Sequence, residues 1–122
     1  MHSVRDWGHA KDYVEGMWKI LQYNKPDDWV LSTGYCCSVK KFVEKVAKKI
    51  NLKIYWKGRG INEKAYLTDN NKCIIELNKK YFRPLEVDYL KGDSKKAKKK
   101  LKWQPKYNLN SLINDMLNKY RK

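Results

Sequence analysis

Apolar residues that recur every three or four positions predict four helices along the chain. We expect them from Asp6 to Gln22, from Ser38 to Asn51, from Ser94 to Leu101 and from Leu109 to Tyr120. Asp6, Ser38 and Asp93 have short acceptor side chains suited to capping the first three helices. The first helix carries one apolar stripe, formed by Ala10, Tyr13, Val14, Met17, Trp18 and Leu21.

Short runs of β-branched and aromatic residues predict strands at Trp29–Thr33, Ile54–Trp56 and Cys73–Leu77. A polar loop, Lys57–Asn71, separates the last two strands. Further along, Pro84 fixes its own φ and favours an extended conformation in the residue before it. Strands this few and short do not close a large sheet of their own. We therefore expect an α/β chain of α+β character that is mostly helical.

Length and charge narrow the choice of ligands. The 122 residues suit one domain, and no apolar run is long enough for a membrane span or a signal peptide, so we expect a cytoplasmic protein. The net charge of +15 favours anionic partners such as a phosphorylated ligand or nucleic acid. Only four of the 28 basic residues are arginines. Their rigid fork grips phosphate in two places, which makes these few positions more informative than the lysines.

Several kinds of chemistry have no matching motif in the sequence. The six glycines do not form the Gly-rich turn that a dinucleotide needs, and no tyrosine is followed by a lysine four residues later. Cys36, Cys37 and Cys73 lack the spacing of a zinc site, so we expect three reduced thiols and no metal. His9 is expected to hydrogen-bond within a helix rather than to act as a base. The residues alone therefore predict no catalytic group.

Three stretches carry a resemblance to a known family. They are the ten residues RDWGHAKDYV from Arg5, the eight residues YFRPLEVD from Tyr81, and the run from Gly92 to Lys106 that contains GDSKKAK and WQPK. Together they resemble the GDP-mannose 4,6-dehydratases, which are extended short-chain dehydrogenases. The resemblance covers nearly all of this chain but only about the last third of a family member. It implies that residues 1–122 form a C-terminal substrate lobe, with the N-terminal NADP-binding Rossmann domain and its sheet missing.

The resemblance also implies roles for three residues. Arg5 and Arg83 would contact the diphosphate of GDP-mannose, and Glu86 would accept hydrogen bonds from sugar or ribose hydroxyls. The side-chain chemistry is consistent with these roles, because guanidinium pairs with phosphate and a carboxylate accepts from a diol. No catalytic, cofactor-binding or metal-binding residue is implied here. NADP would belong to the intact enzyme and is not expected to bind this chain alone.

The resemblance is imperfect at three places. Tyr35-Cys36-Cys37 stands where family members usually have Glu-Thr-His, Ala65 stands where Gly is common, and Lys102 stands where Gly often precedes the Trp. These departures concern the rim of the site and leave the two signature motifs unchanged.

Three functions remain open at this point. The chain could be the GDP-mannose-binding part of a dehydratase that makes GDP-4-keto-6-deoxy-mannose, inactive without a separately encoded N-terminal half. It could be a non-catalytic remnant that binds a nucleotide sugar or a dehydratase subunit. It could also be a basic nucleic-acid-binding module, which the lysine-rich run after Asp93 favours less than a solvated helix face. A lobe shaped to pack on a Rossmann sheet would expose apolar surface, so we expect self-association or a partner.

Overall fold

The computed structural model describes residues 1–121, whose contacts divide the chain into two compact units. The sheet unit comprises Met1–Ser3 and Ser38–Asp88, and the helical unit comprises Val4–Cys37 and the residues from Tyr89 onward. The helices are α1 (Ala10–Gln22), α2 (Val39–Lys49), α3 (Lys95–Lys100) and α4 (Leu109–Tyr120). The strands are β1 (Val4–Asp6), β2 (Cys36–Ser38), β3 (Ile54–Lys57), β4 (Lys64–Leu67) and β5 (Cys73–Glu76). Helices and small sheets are thus both present, as predicted.

The helical unit is built around one buried tryptophan. Trp103 follows α3 and is fully buried with Ala97 and Leu101. Tyr13, Ile20, Tyr23, Trp29 and Leu31 pack against this cluster. The indole Nε1 of Trp103 donates to the backbone oxygen of Asp12 at 2.8 Å, which satisfies the polar group that the ring carries into the core. The core therefore joins α1 to α3 and to the segment after α1.

The sheet unit contains α2 and an antiparallel sheet in the order β3-β4-β5. Trp56 lies opposite Ala65, and Ala65 lies opposite Ile75, so a small residue sits between two large ones. Ser38 caps α2 as predicted, since its Oγ accepts from the backbone N–H of Lys41 at 3.2 Å. The helix ends at Lys49, and Asn51 beyond it has a left-handed φ of +58°, while Leu52 N donates to Ala47 O. That geometry is a Schellman ending, in which Asn is tolerated.

Three predictions about elements are wrong. Asp6 does not cap the first helix, because it lies in β1 and the N-cap of α1 is His9. The segment Trp29–Thr33 is not assigned as a strand. The predicted loop Lys57–Asn71 contains β4, whose short run Ala65-Tyr66-Leu67 becomes a strand because β3 and β5 flank it on both sides.

Other expectations are confirmed. Asp93 Oδ1 accepts from Lys95 N at 3.0 Å at the start of α3, and the last helix has the predicted bounds. No helix within residues 1–121 is both long enough and apolar enough to span a bilayer.

Candidate functional site

Two of the three predicted site residues lie in one turn of the sheet unit. The backbone N–H of Glu86 donates to the backbone oxygen of Arg83 at 3.3 Å, and Pro84 and Leu85 occupy the centre of the turn. Proline suits the second position of such a turn because its φ is already close to −65°. The whole turn is exposed, and Leu85 at its tip is 96% exposed. The turn therefore presents a guanidinium and a carboxylate three positions apart on an accessible surface.

The segment before this turn is also cationic and aromatic. A short 3-10 helix, Lys79–Tyr81, follows β5, and Asn78 Oδ1 accepts from Lys80 N at 2.9 Å. Lys80 Nζ lies 5.6 Å from the centre of the Tyr81 ring, and Tyr81 and Phe82 are mostly exposed. We had not singled out Lys80 and Tyr81 from the sequence as candidate contacts. Their position directly before the FRPLEVD run was the clue that could have identified them.

Arg5 lies in the helical unit, on β1. It is half-buried, and its Nη1 donates to the backbone oxygen of Val4 at 2.9 Å. Val4 itself pairs with Tyr89 in a parallel bridge and accepts from Leu90 N at 3.0 Å. The structure thus brings Arg83 and Glu86 together and places Arg5 in the other unit.

Asp6, next to Arg5, fixes the loop that follows the segment Trp29–Thr33. One carboxylate oxygen accepts from both the N–H and the hydroxyl of Thr33 at 2.8 Å, and the other accepts from Gly34 N at 2.9 Å. Charge-assisted bonds of this kind are stronger than neutral ones. Asp6 therefore orders the end of β1, which carries Arg5, instead of capping α1.

The two groups near Asp6 that could act as nucleophile or base are both held protonated. Burial, together with the charges of Asp6 and Asp12, raises the pKa of Tyr13. Burial, followed by the charge of Asp6, raises the pKa of the Cys36 thiol, whose Sγ lies 3.8 Å from Asp6 Oδ2. A thiol whose pKa is raised is a poor nucleophile at neutral pH. Both shifts favour the protonated form of the side chain.

His9 has the structural role that the sequence predicts. Its Nδ1 accepts from Lys11 N at 3.0 Å, so the ring proton lies on Nε2, which donates to Asp115 at 2.8 Å. The imidazole also stacks on Tyr107 with 4.0 Å between ring centres. The hydrogen bond from His9 lowers the pKa of Asp115. With both nitrogens engaged, His9 anchors α1 to α4 and does not serve as a base.

Asp12 is a buried residue whose importance was missed in the sequence. Its two carboxylate oxygens accept from the backbone N–H groups of Lys106 and Tyr107 at 3.0 and 3.1 Å. Because Asp12 lies opposite the apolar stripe predicted for this helix, the sequence pattern places it towards solvent and gives no signal of its burial. Three residues of the RDWGHAKDYV stretch, Asp6, His9 and Asp12, thus have structural roles in the unit that carries Arg5.

A groove of about 550 Å³ in the helical unit adds positive charge. Its lining residues are Gly34, Tyr89, Lys91, Gly92, Asp93, Ser94, Lys95 and Lys98. Three lysines against one aspartate make it a cationic surface, although Asp93 already occupies the first free N–H of α3. Within residues 1–121 no three His, Cys, Asp or Glu side chains gather as a metal site.

Comparison with known proteins agrees with the sequence motifs. The family model for GDP-mannose 4,6 dehydratase matches residues 1–116. The GDP-mannose 4,6 dehydratase of Dictyostelium discoideum is 45% identical over 98% of this chain and 33% of its own length. The human protein of the same name is 46% identical over 96% of this chain and 32% of its own length. The chain thus spans about a third of the length of these curated relatives.

A solved structure has the same fold at low sequence identity. The structure of RMD from Pseudomonas aeruginosa complexed with NADPH superposes with a TM-score of 0.69 at 12% identity, over 98% of this chain and 33% of that one. The family model carries the assignment, since it covers the three stretches on which the resemblance rests. This chain belongs to the GDP-mannose 4,6-dehydratase family.

Proposed function

We propose that residues 1–122 form the GDP-mannose-binding region of a GDP-mannose 4,6-dehydratase. The observation that carries this proposal is the exposed turn closed by the hydrogen bond from Glu86 N to Arg83 O. This turn presents a guanidinium and a carboxylate three positions apart. Arg5 is the third proposed contact.

Each proposed contact matches one chemical feature of a nucleotide sugar. A guanidinium fork can donate two parallel hydrogen bonds to diphosphate oxygens, and Arg83 and Arg5 are assigned this role. A carboxylate is only an acceptor, so Glu86 suits a pair of neighbouring hydroxyls on the sugar or ribose. These contacts bind and orient the substrate and transfer no proton or hydride.

The chemical steps are assigned to the rest of a dehydratase. In this proposal that part would hold NADP, which would supply reversible hydride transfer for the net loss of water that converts GDP-mannose to GDP-4-keto-6-deoxy-mannose. This chain alone should bind no NADP and show no turnover. A cytoplasmic location is part of the proposal, and the free thiols of Cys36, Cys37 and Cys73 are compatible with a reducing compartment.

Calorimetric titration with GDP-mannose tests the assignment directly. We expect Arg83→Ala to weaken binding by roughly 10- to 100-fold, as for loss of a hydrogen bond to a charged group. Arg121→Ala is the matched control, because it removes the same charge from an exposed position near the C-terminus. Equal affinity of wild type and Arg83→Ala, or equal losses in both variants, would remove the turn from the site.

Nucleic-acid binding is the second candidate, and the cationic groove with Lys91, Lys95 and Lys98 favours it. RNA binding through phosphates weakens steeply with salt, whereas binding of one diphosphate depends on salt much less. Titration with single-stranded RNA and with GDP-mannose at 50 and 200 mM salt separates the two. RNA affinity that exceeds the GDP-mannose affinity at both salt concentrations would favour the nucleic-acid function.

A further inference from the structure

β3 lies at the edge of the three-stranded sheet, and in the part of the chain that the structure describes it pairs with β4 alone. Alternate residues of an antiparallel strand direct their backbone N–H and C=O groups towards the partner strand. Thr68 N donates to Lys53 O at 2.9 Å, so Lys53 and every second residue after it direct these groups towards β4. The backbone groups of Ile54 and Trp56 therefore point to the open edge, where another strand can pair with them.

A groove of about 440 Å³ is lined by α2, by β3 and by the turn that joins them. Its apolar lining residues are Ala47, Leu52, Ile54 and Trp56. Ala47 is buried, Ile54 and Trp56 are half-buried, and Leu52 is 41% exposed, so the apolar wall can be reached from solvent. The volume is within the range of ligand sites in proteins. An apolar groove and an open strand edge therefore share the residues of β3.

The charged side chains at this groove favour an anionic ligand. They are two lysines and one glutamate, Lys48, Lys53 and Glu44. Glu44 Oε1 accepts from Trp56 Nε1 at 3.1 Å, so the glutamate already has a partner within the unit. The sheet unit as a whole has 13 Lys and Arg residues against six Asp and Glu residues. A partner that carries carboxylates therefore complements both the groove and its surroundings.

Two observations select a peptide as the occupant over RNA and over a second copy of this chain. An open strand edge presents donors and acceptors at the spacing of a peptide backbone, which a polynucleotide does not match. Pairing of β3 with β3 of a second copy would set Lys53 and Lys57 of the two copies against each other. Like charges directly opposite each other are destabilising, whereas a strand with carboxylates meets no such obstacle.

We infer that this groove binds an extended acidic peptide, which adds a strand to the open edge of β3. The peptide backbone pairs with Ile54 and Trp56, and alternate apolar side chains of the peptide enter the groove. Its carboxylates lie against Lys48 and Lys53. None of the three proposed GDP-mannose contacts lines this groove, so the inference does not depend on the proposed function.

Calorimetric titration of the full chain with a designed peptide tests the charges of the groove. The probe is a capped seven-residue peptide in which aspartate alternates with valine, and we expect saturable binding at 150 mM salt. Lys48→Glu/Lys53→Glu should weaken binding by at least about tenfold, because two attractive pairs become repulsive. Lys45→Glu/Lys57→Glu is the matched control. It makes the same charge change at exposed positions of α2 and β3 that do not line the groove, and it should weaken binding less than about threefold.

Amide exchange measured by NMR tests the backbone pairing in the unmodified chain. Saturating peptide should slow exchange at least about tenfold at Ile54 and Trp56. It should leave Tyr55 unchanged, because the amide of Tyr55 already faces β4. A peptide with the same side chains and an N-methylated backbone should not bind, since it has no N–H groups to donate.

Four results would overturn the inference. They are a peptide that does not saturate the chain at millimolar concentration, equal losses in the two charge-reversed variants, equal binding of the N-methylated peptide, and unchanged exchange at Ile54 and Trp56. Single-stranded RNA is titrated in parallel. If RNA binds the unmodified chain but not Lys48→Glu/Lys53→Glu, and the peptide binds neither, the groove is assigned to nucleic acid instead.

Discussion

The two units are stabilised in different ways. The helical unit buries a large aromatic side chain, Trp103, with Ala97 and Leu101 around it. In the sheet unit, whose residues are all described, the buried apolar residues are only Ala47 and Ala65. Its most notable buried residue is Glu63, which is 3% exposed, lies 2.8 Å from His2 Nε2 and lies 3.3 Å from Lys40 Nζ.

Trp103 and Glu63 stabilise their units by different means, one by burying apolar surface and the other through its charge. The contribution of Trp103 comes from area removed from water and does not depend on protonation. The contribution of Glu63 depends on its charge, because the carboxylate pairs with His2 and with Lys40 of α2. The proposed binding turn at Arg83–Glu86 lies in the unit with the small apolar core. The contribution of Glu63 to the order of this unit should therefore respond to pH, whereas the contribution of Trp103 to the helical unit should not.

The largest expected effect is on the helical core. Trp103→Ala should lower the free energy of unfolding by about 3–5 kcal/mol, which covers lost burial and the cavity left behind. Trp18→Ala is the matched control, because that ring is 61% exposed, and it should cost under about 0.5 kcal/mol. Urea denaturation followed by circular dichroism measures both. Similar losses in the two variants would mean that Trp103 is not the centre of the core.

The next effect concerns a turn of the sheet unit. Gly58 has a φ of +91°, and a Cβ there would lie 2.3 Å from the backbone oxygen of Asn62. Gly58→Ala should cost roughly 2–3 kcal/mol, from the left-handed conformation and the clash together. Gly60 also has a positive φ, of +57°, but open space around it, so Gly60→Ala should cost only about 1 kcal/mol. Equal urea midpoints for the two variants would contradict the packing assigned to this turn.

The difference in pH response rests on Glu63. Burial disfavours its charge, but hydrogen bonds from His2 and Lys40 outweigh this, and the pKa of Glu63 lies below its usual value of 4.5. A carboxyl whose pKa is lowered by folding stabilises the protein above the unfolded-state pKa, and this contribution is lost as the pH falls through the folded-state pKa. Glu63→Gln should therefore cost about 1 kcal/mol at pH 7 and less at pH 3.

The control for Glu63 is an exposed pair in the same unit. Lys64 Nζ lies 3.3 Å from Glu76 Oε2, and both side chains are largely accessible to solvent. Surface pairs contribute little, so Glu76→Gln should leave the urea midpoint unchanged at both pH values. If Glu63→Gln lowers the free energy of unfolding as much at pH 3 as at pH 7, the shape of this side chain and not its charge makes it stabilising.

The sequence predicts the helical parts of both units better than their strands. The helices of residues 10–22, 39–49 and 109–120 follow from a 3.6-residue period, which needs no knowledge of neighbours. The sequence pattern misses β4 because its apolar run, Ala65 to Leu67, is only three residues long and has polar residues on both sides. Pairing with two flanking strands makes it a strand. Trp29–Thr33 has strand composition without a partner in this structure. For the candidate site, the constraint that Pro84 imposes on the backbone followed from the sequence, but the turn from Arg83 to Glu86 did not. The partners of Asp6 and Asp12 lie 27 and 94 residues away and could not be predicted either.

The smallest effect compares how one helix of each unit ends. α3 is followed by Lys102 with a φ of +53°, and α2 by Asn51 with a φ of +58°. A left-handed conformation is costly for lysine, whereas asparagine is one of the residues that tolerate it. Lys102→Gly should therefore stabilise the protein by about 0.5–1 kcal/mol, and Asn51→Gly by clearly less. The positive φ of Lys102 thus gives a conformational reason for the Gly that the resemblance implies at this position. If the urea midpoint falls in Lys102→Gly, the long side chain must stabilise more through its surface contacts than the left-handed backbone costs.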